Sequence, residues 1–112
     1  MNDDSTLGGY QRRHGRPPAF GGLDGRAYSV SPLVDDDPDD RGRYGAALLF
    51  VRWKPDGERP DGHLETGYLT DGPTPEAALA PLLALPLRAV KHHLDDCIAR
   101  AAPAEREHPA DP

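Results

Sequence analysis

The chain has few of the residues that build large cores or reactive sites. It contains one cysteine, one tryptophan, one methionine and two phenylalanines, and Leu, Ile, Val and Phe together make up 20 of its 112 residues. A single cysteine, Cys97, cannot form an internal disulfide, which is typical of a reducing compartment. Because little apolar surface is available for burial, we expect one small domain of modest stability.

Cations are also in the minority, with 13 Lys and Arg against 19 Asp and Glu and a net charge of −6. Binding to nucleic acid depends on Lys and Arg releasing counterions, so this balance argues against nucleic acid and anionic membranes as partners. No apolar run reaches the roughly 20 residues that cross a bilayer, and the polar N-terminus lacks the centre of a secretory signal. We therefore expect a cytoplasmic protein.

Both ends of the chain are polar. Residues 1–16 have Leu7 and Tyr10 as their only large apolar groups, and residues 102–112 are rich in proline and charge. Such segments bury too little apolar area to offset the entropy lost on ordering. We predict a disordered N-terminal arm over residues 1–16, a folded domain over residues 17–101 and a disordered tail over residues 102–112.

Three segments have the patterns of β-strands. Asp24-Gly25 within residues 20–30 is typical of a hairpin with a two-residue type I′ turn. Residues 44–54 are apolar on both faces, which predicts a central strand. After a polar turn, residues 63–70 alternate as a further strand. Short connections between them favour an antiparallel β-meander of three or four strands.

Between the first hairpin and the central strand lies the acidic run of residues 35–40, DDDPDD. Mutual repulsion and Pro38 predict a loop. Its alternate aspartates are spaced like calcium ligands, but Asp40 and Ala46 stand where an EF-hand needs glycine and glutamate. We favour a solvated loop without a cofactor. Pro32, which lacks an N–H, predicts the end or an edge position of the preceding strand.

The C-terminal third has the signals of two helices. Thr74, Pro75 and Glu76 form a typical helix start, and Pro81 predicts that this helix ends or kinks near Ala80. A second helix is predicted from Pro86 to about Ala101, with Pro103 as its stop, because its apolar residues recur three and four apart: Leu87, Val90, Leu94, Cys97, Ile98 and Ala101. One face of the sheet is the nearest cover for that stripe. The predicted fold is α+β, with two C-terminal helices on one face of the meander.

Potential metal ligands cluster weakly on the second helix. His93 and Cys97 are four residues apart and share one helix side, and His63 on a strand is the nearest source of a third ligand. A nucleophilic role for Cys97 is disfavoured, because burial in an apolar stripe opposes thiolate formation. Without a complete catalytic motif, we expect a non-catalytic protein, and a metal site at these residues is the alternative.

The central strand raises the question of what covers its second face. Two short helices cover one face, so a homodimer or an unknown protein partner would cover the other through Phe50, Trp53 and Tyr68. The alternative is that the N-terminal hairpin or residues 82–85 close it within a monomer. We expect a protein-interaction or accessory module in the first case.

Residues 67–84, GYLTDGPTPEAALAPLLA, pass from a strand through Gly and Thr into a Glu-Ala-Leu helix. This passage locally resembles HicB-like antitoxin domains, in which a small sheet with packed helices serves as a protein-binding module. The resemblance implies a third hypothesis, an antitoxin-like module that binds a protein partner.

Overall fold

An antiparallel sheet and three helices make up the chain, which the computed structural model describes over residues 5–107. The α+β class and the antiparallel sheet are as predicted, although a third helix is added. In chain order the elements are α1 (Leu7–His14), β1 (Ala19–Gly21), β2 (Ala27–Val34), β3 (Tyr44–Trp53), β4 (Pro60–Glu65), β5 (Thr70–Gly72), α2 (Pro75–Leu83) and α3 (Leu87–Glu107).

The sheet is a meander in the order β1-β2-β3-β4, and β5 pairs with the other end of β3. β3 is the central strand, as predicted. The single strand predicted over residues 63–70 is wrong, because the chain leaves the ladder between Glu65 and Thr70. Thr66 holds this break: its Oγ1 accepts from the Leu48 amide at 3.0 Å, and the Leu69 amide returns to the Ala46 carbonyl at 2.8 Å.

The first hairpin is confirmed, with Phe20 opposite Tyr28. Its predicted type I′ turn is wrong, because Gly25 (φ 82°) is the only residue of the connection with positive φ, and Asp24 is not left-handed. The Asp24 carboxylate instead accepts from the Arg26 amide at 3.0 Å and from the Tyr28 hydroxyl at 2.7 Å. A wider loop therefore joins β1 to β2.

Pro32 lies within β2 rather than at its end, and it does occupy an edge. β1 pairs only with the first three residues of β2, Ala27 to Ser29. The Val30 amide points to the β1 side, where it donates to the Pro18 carbonyl at 3.2 Å. Two residues on, the nitrogen of Pro32 faces the same side, beyond the end of β1, so its missing N–H breaks no ladder bond.

The core lies between one face of the sheet and the three helices. Its fully buried side chains include Val30, Leu48 and Phe50 from the sheet. The helices add Leu7 from α1, Ala78 and Leu82 from α2, and Val90, Leu94, Cys97 and Ile98 from α3. The apolar stripe predicted on the last helix is thus confirmed from Val90 to Ile98.

Helix α1 corrects the prediction of a disordered arm over residues 1–16, of which residues 1–4 lie outside the described part. Thr6 caps its start by accepting from the Gly9 amide at 3.0 Å, and Gly15 ends it in the left-handed conformation. Leu7 is 0% exposed, and its amide donates to the Leu85 carbonyl at 2.9 Å. One well-placed leucine and two caps offset the low apolar content of the segment.

Both C-terminal helices continue past a proline, so an end near Ala80 and the stop predicted at Pro103 are wrong. α2 continues through Pro81 to Leu83, because proline removes only one intrahelical bond and the next residue, Leu82, is fully buried. α3 begins directly after Pro86, as predicted, but extends past Pro103 to Glu107. The predicted tail over residues 102–112 is therefore helical up to residue 107, and residues 108–112 lie outside the described part.

Candidate interaction surface

Strand register divides the side chains of the sheet between two faces. Val30 lies opposite Phe50, and Phe50 opposite Leu64, so these three point to the helices. The residues between them point away from the helices and form what we call the open face: Ala27, Ser29, Ser31 and Leu33 of β2, Ala47, Leu49, Val51 and Trp53 of β3, and His63 and Glu65 of β4.

Within residues 5–107 no helix covers the open face, because all three helices contribute their buried side chains to the core on the opposite face. The N-terminal hairpin does not close it, since β1 extends the same sheet beside β2. Residues 82–85 do not close it either, because Leu82 is part of the core and Leu83 and Leu85 pack against that core. Closure within a monomer, one of the two alternatives drawn from the sequence, is thus wrong for the described chain.

The three residues predicted to bind a partner fall in different places. Phe50 is 0% exposed beneath the helices and belongs to the core rather than to the open face. Trp53 lies on the open face, partly exposed, and its indole N–H donates to Ser29 Oγ at 3.0 Å. Tyr68 is 68% exposed at the rim of the face, where its ring lies over Gly45 so closely that a Cβ on Gly45 would be 2.6 Å from it.

Two hollows mark the open face. One, of about 490 Å³, is floored by Leu33, Leu49 and Val51 and bordered by residues of β4: Pro60, Asp61, Gly62, His63 and Glu65. The other, of about 330 Å³, lies between Leu33 and Tyr68 over Ala47. Leu33 is 43% exposed although it is a large aliphatic residue. The face thus offers shallow apolar depressions rather than a deep ligand pocket.

A carboxylate bridged by two arginines ties the strands together at the β3–β4 end of the sheet. Asp61 accepts from Arg26 at 2.6 Å and from Arg52 at 2.9 Å, and Arg26 also donates to the Trp53 carbonyl at 3.0 Å. Hydrogen bonds from Arg26 and then from Arg52 lower the pKa of Asp61. The two arginines are therefore committed to tying β2, β3 and β4 together.

At the opposite end of the face, Arg43 pairs with Asp71, and Tyr68 forms a hydrogen bond to Asp35 that we call the Tyr68 latch. Arg43 donates through two nitrogens to Asp71 at 2.9 and 3.2 Å, which lowers the pKa of that carboxyl. The Tyr68 hydroxyl donates to Asp35, 2.7 Å from its nearer carboxylate oxygen, and this bond raises the pKa of Tyr68. The Tyr68 latch fixes the position of the tyrosine ring, which lines one side of the smaller hollow.

The residues suggested as metal ligands are not brought together. His63 lies opposite Val51 on the open face, whereas Cys97 is buried on the helix side of the sheet. His93 lines a shallow hollow on the outer side of α3 with Arg88, Ala89 and His92. Among the described residues no group of three or more His, Cys, Asp or Glu side chains is placed to hold a metal ion. The structure thus separates His63, His93 and Cys97, the residues of the alternative metal site.

Contacts within the protein account for the positions of Cys97 and of the acidic loop. Burial raises the pKa of the Cys97 thiol, whose sulfur lies 3.7 Å from the Glu65 carbonyl oxygen. In the loop, which is irregular as predicted, the Asp39 carboxylate accepts from the Arg43 amide at 3.0 Å and the Arg41 amide at 2.9 Å. These backbone hydrogen bonds lower the pKa of Asp39 and fold the loop around it.

Sequence reasoning missed most of the open face. The apolar character of both sides of residues 44–54 was a sufficient signal for Leu49 and Val51. Leu33 could have been found from its alternation with Ser29 and Ser31. The carboxylates beside these residues had no such signal, because their position depends on strand register.

No family model, curated protein or solved structure matches the chain. The segment that resembles HicB-like domains does form a strand, a Thr74-capped start and a helix, as that resemblance implies for residues 70–83. No helix among the described residues is long and apolar enough to cross a membrane.

Proposed function

We propose that the protein is a non-catalytic interaction module that binds another protein surface through the open face of its sheet. The observation that carries the proposal is a row of partly exposed apolar side chains on β2 and β3 that no described helix covers: Leu33, Leu49, Val51 and Trp53. Removing such a surface from water contributes roughly 25 cal/mol for each Å² of apolar area buried, which offsets the entropy lost on association.

The arrangement of the face supports binding rather than chemistry. Its floor is rigid, since β3 is hydrogen-bonded on both sides, and its two ends are held by the Asp61 bridge and the Tyr68 latch. The thiol of Cys97 is buried on the other side of the sheet. A prearranged surface loses little conformational entropy on association. A cytoplasmic location, favoured by the single free cysteine, and an antitoxin-like role belong to the same proposal as its narrower forms.

The proposal is tested by comparing partners of the wild-type chain with those of two matched variants. Leu49→Lys places a charge in the centre of the open face, and Leu23→Lys places one at a leucine that is 64% exposed in the β1–β2 loop. Each tagged protein is incubated with lysate of the source cells, and the captured proteins are quantified by mass spectrometry. We expect proteins captured by wild type and Leu23→Lys to be lost with Leu49→Lys.

Both variants must retain the wild-type melting temperature, so that loss of capture reports the surface rather than unfolding. Equal capture by all three proteins would contradict binding at the open face. If no protein is captured by wild type above the level of an untagged control, the proposed function is overturned.

A further inference from the structure

Apart from Tyr68, the ionisable side chains that border the two hollows of the open face are acidic or histidine. Asp61, His63 and Glu65 line the larger hollow, and Asp35 and Glu65 line the smaller one. Among the described residues neither hollow is lined by Arg or Lys. The apolar floor is therefore edged with negative charge.

Internal ion pairs neutralise only part of this charge. Asp61 is bridged by two arginines, as described above. Among the side chains described, those of residues 5–101, Glu65 and Asp35 form no ion pair with Arg or Lys. Glu65 lies 3.8 Å from the imidazole of His63 and shares a separate hollow with Arg100, and Asp35 accepts from the neutral hydroxyl of Tyr68 and from the Gly45 amide. These two carboxylates remain able to accept from cations of another molecule.

We propose, building on the function proposed above, that the occupant of the open face is a protein segment with an apolar ridge flanked by Arg or Lys. The ridge would rest on Leu49 and Val51, and cations on its flanks would meet Glu65 on β4 and Asp35 beyond the end of β2. Charge-assisted hydrogen bonds from such cations fix the register of an otherwise featureless apolar contact.

A second copy of this chain is a poorer occupant. In a two-fold pair each open face would meet the same residues of its partner, so two apolar floors without Arg or Lys would be opposed. The carboxylates of Asp35 and Glu65 would then be doubled in one interface, in a chain whose net charge is already −6. Like charges brought together at an interface oppose association.

The test uses a random-peptide phage library selected on the immobilised full-length chain. We expect the enriched peptides to carry apolar residues next to Arg or Lys, and a synthetic copy of the strongest binder to lose at least about tenfold in affinity for Leu49→Lys. Glu65→Gln should weaken the same peptide about two- to fivefold, with the loss shrinking at high salt. The matched control is Glu76→Gln, which changes an exposed glutamate on α2 and should leave affinity unchanged.

The failures of the two proposals are distinguishable. Binders without enrichment of Arg or Lys that still depend on Leu49 would overturn this inference and leave the interaction function standing. A dimer in sedimentation velocity that Leu49→Lys dissociates would do the same, with a second copy as occupant. Peptides that bind wild type and Leu49→Lys equally, or a library without binders, would count against both.

Discussion

Single side chains at the ends of the sheet provide hydrogen-bond partners for its polar groups. Tyr28 is the clearest case, because its ring fills the core while its hydroxyl reaches Asp24 at 2.7 Å. The same loop carboxylate accepts from the Arg26 amide. Asp24 thus joins the β1–β2 connection to the start of β2 through two hydrogen bonds. The predicted tight turn did not indicate this role.

Ionisation of Tyr28 makes the free energy of unfolding depend on pH in the alkaline range. Burial, followed by the hydrogen bond to Asp24, raises the pKa of Tyr28 from 10.0 to about 12. The unfolded chain therefore loses this proton before the folded chain does. Stabilisation is complete below pH 10 and is lost as the pH rises from 10 to 12. In Tyr28→Phe we expect a smaller fall in the free energy of unfolding over this interval.

The measurement is urea unfolding at several pH values between 9 and 12, each about half a pH unit apart. Wild type and variant share every other group that titrates there, so the difference between their slopes isolates Tyr28. Parallel slopes would show that the phenol ionises as readily in the folded chain as in the unfolded one.

At the scale of elements, the N-terminal helix shows how few contacts can order a polar segment. Both of its caps are visible in the sequence, Thr6 before the helix and Gly15 after it. Its apolar content predicted disorder, because composition cannot show that Leu7 reaches the core. Gly8 permits the close approach, since a Cβ there would lie 2.9 Å from the Leu83 Cβ of α2.

Docking of α1 is tested by Leu7→Ala. Removing a fully buried leucine costs about 2 to 5 kcal/mol, depending on how far the cavity collapses. We expect a loss in this range in the free energy of unfolding measured with urea. Leu23→Ala, at a leucine that is 64% exposed, is the control and should cost less than about 0.5 kcal/mol. Equal stabilities of the two variants would mean that α1 contributes nothing to the fold.

At the scale of the whole molecule, the protein is a two-layer structure with one layer of helices and one of sheet. All described helices lie on the same side, so the central strand is asymmetric although its sequence is apolar on both sides. Leu48 is 0% exposed against the helices, while its neighbour Leu49 lies partly exposed on the open face. Two adjacent, chemically identical residues thus have different roles, one in stability and one in the proposed binding surface.

This asymmetry predicts different costs for the same substitution at neighbouring positions. Leu48→Ala should lower the free energy of unfolding by about 2 to 5 kcal/mol, because it leaves a cavity in the core. Leu49→Ala removes a side chain that water already reaches, and should cost less than about 1.5 kcal/mol. Chemical denaturation of both variants measures the difference. A cost at Leu49 equal to that at Leu48 would indicate that the second face is covered in solution.

Local patterns in the sequence determined the existence and type of most elements. Residues 44–54 predict a central strand, Thr74 a helix start and the stripe through Leu94 a buried helix face, because each depends on residues adjacent in the chain. Prolines were unreliable only as helix stops: Pro81 and Pro103 lie inside helices, although Pro75 and Pro86 mark helix starts as predicted.

Only the tertiary structure decided which face of the sheet is covered and what surrounds the uncovered one. Phe50 and Trp53 are three residues apart and equally suited to an interface by sequence, but pleating sends Phe50 to the helices and Trp53 to the open face. Asp35 and Glu65 are 30 positions apart along the chain and meet one hollow because two strands lie beside β3. Register and layer packing are long-range properties, and no local pattern of residues encodes them.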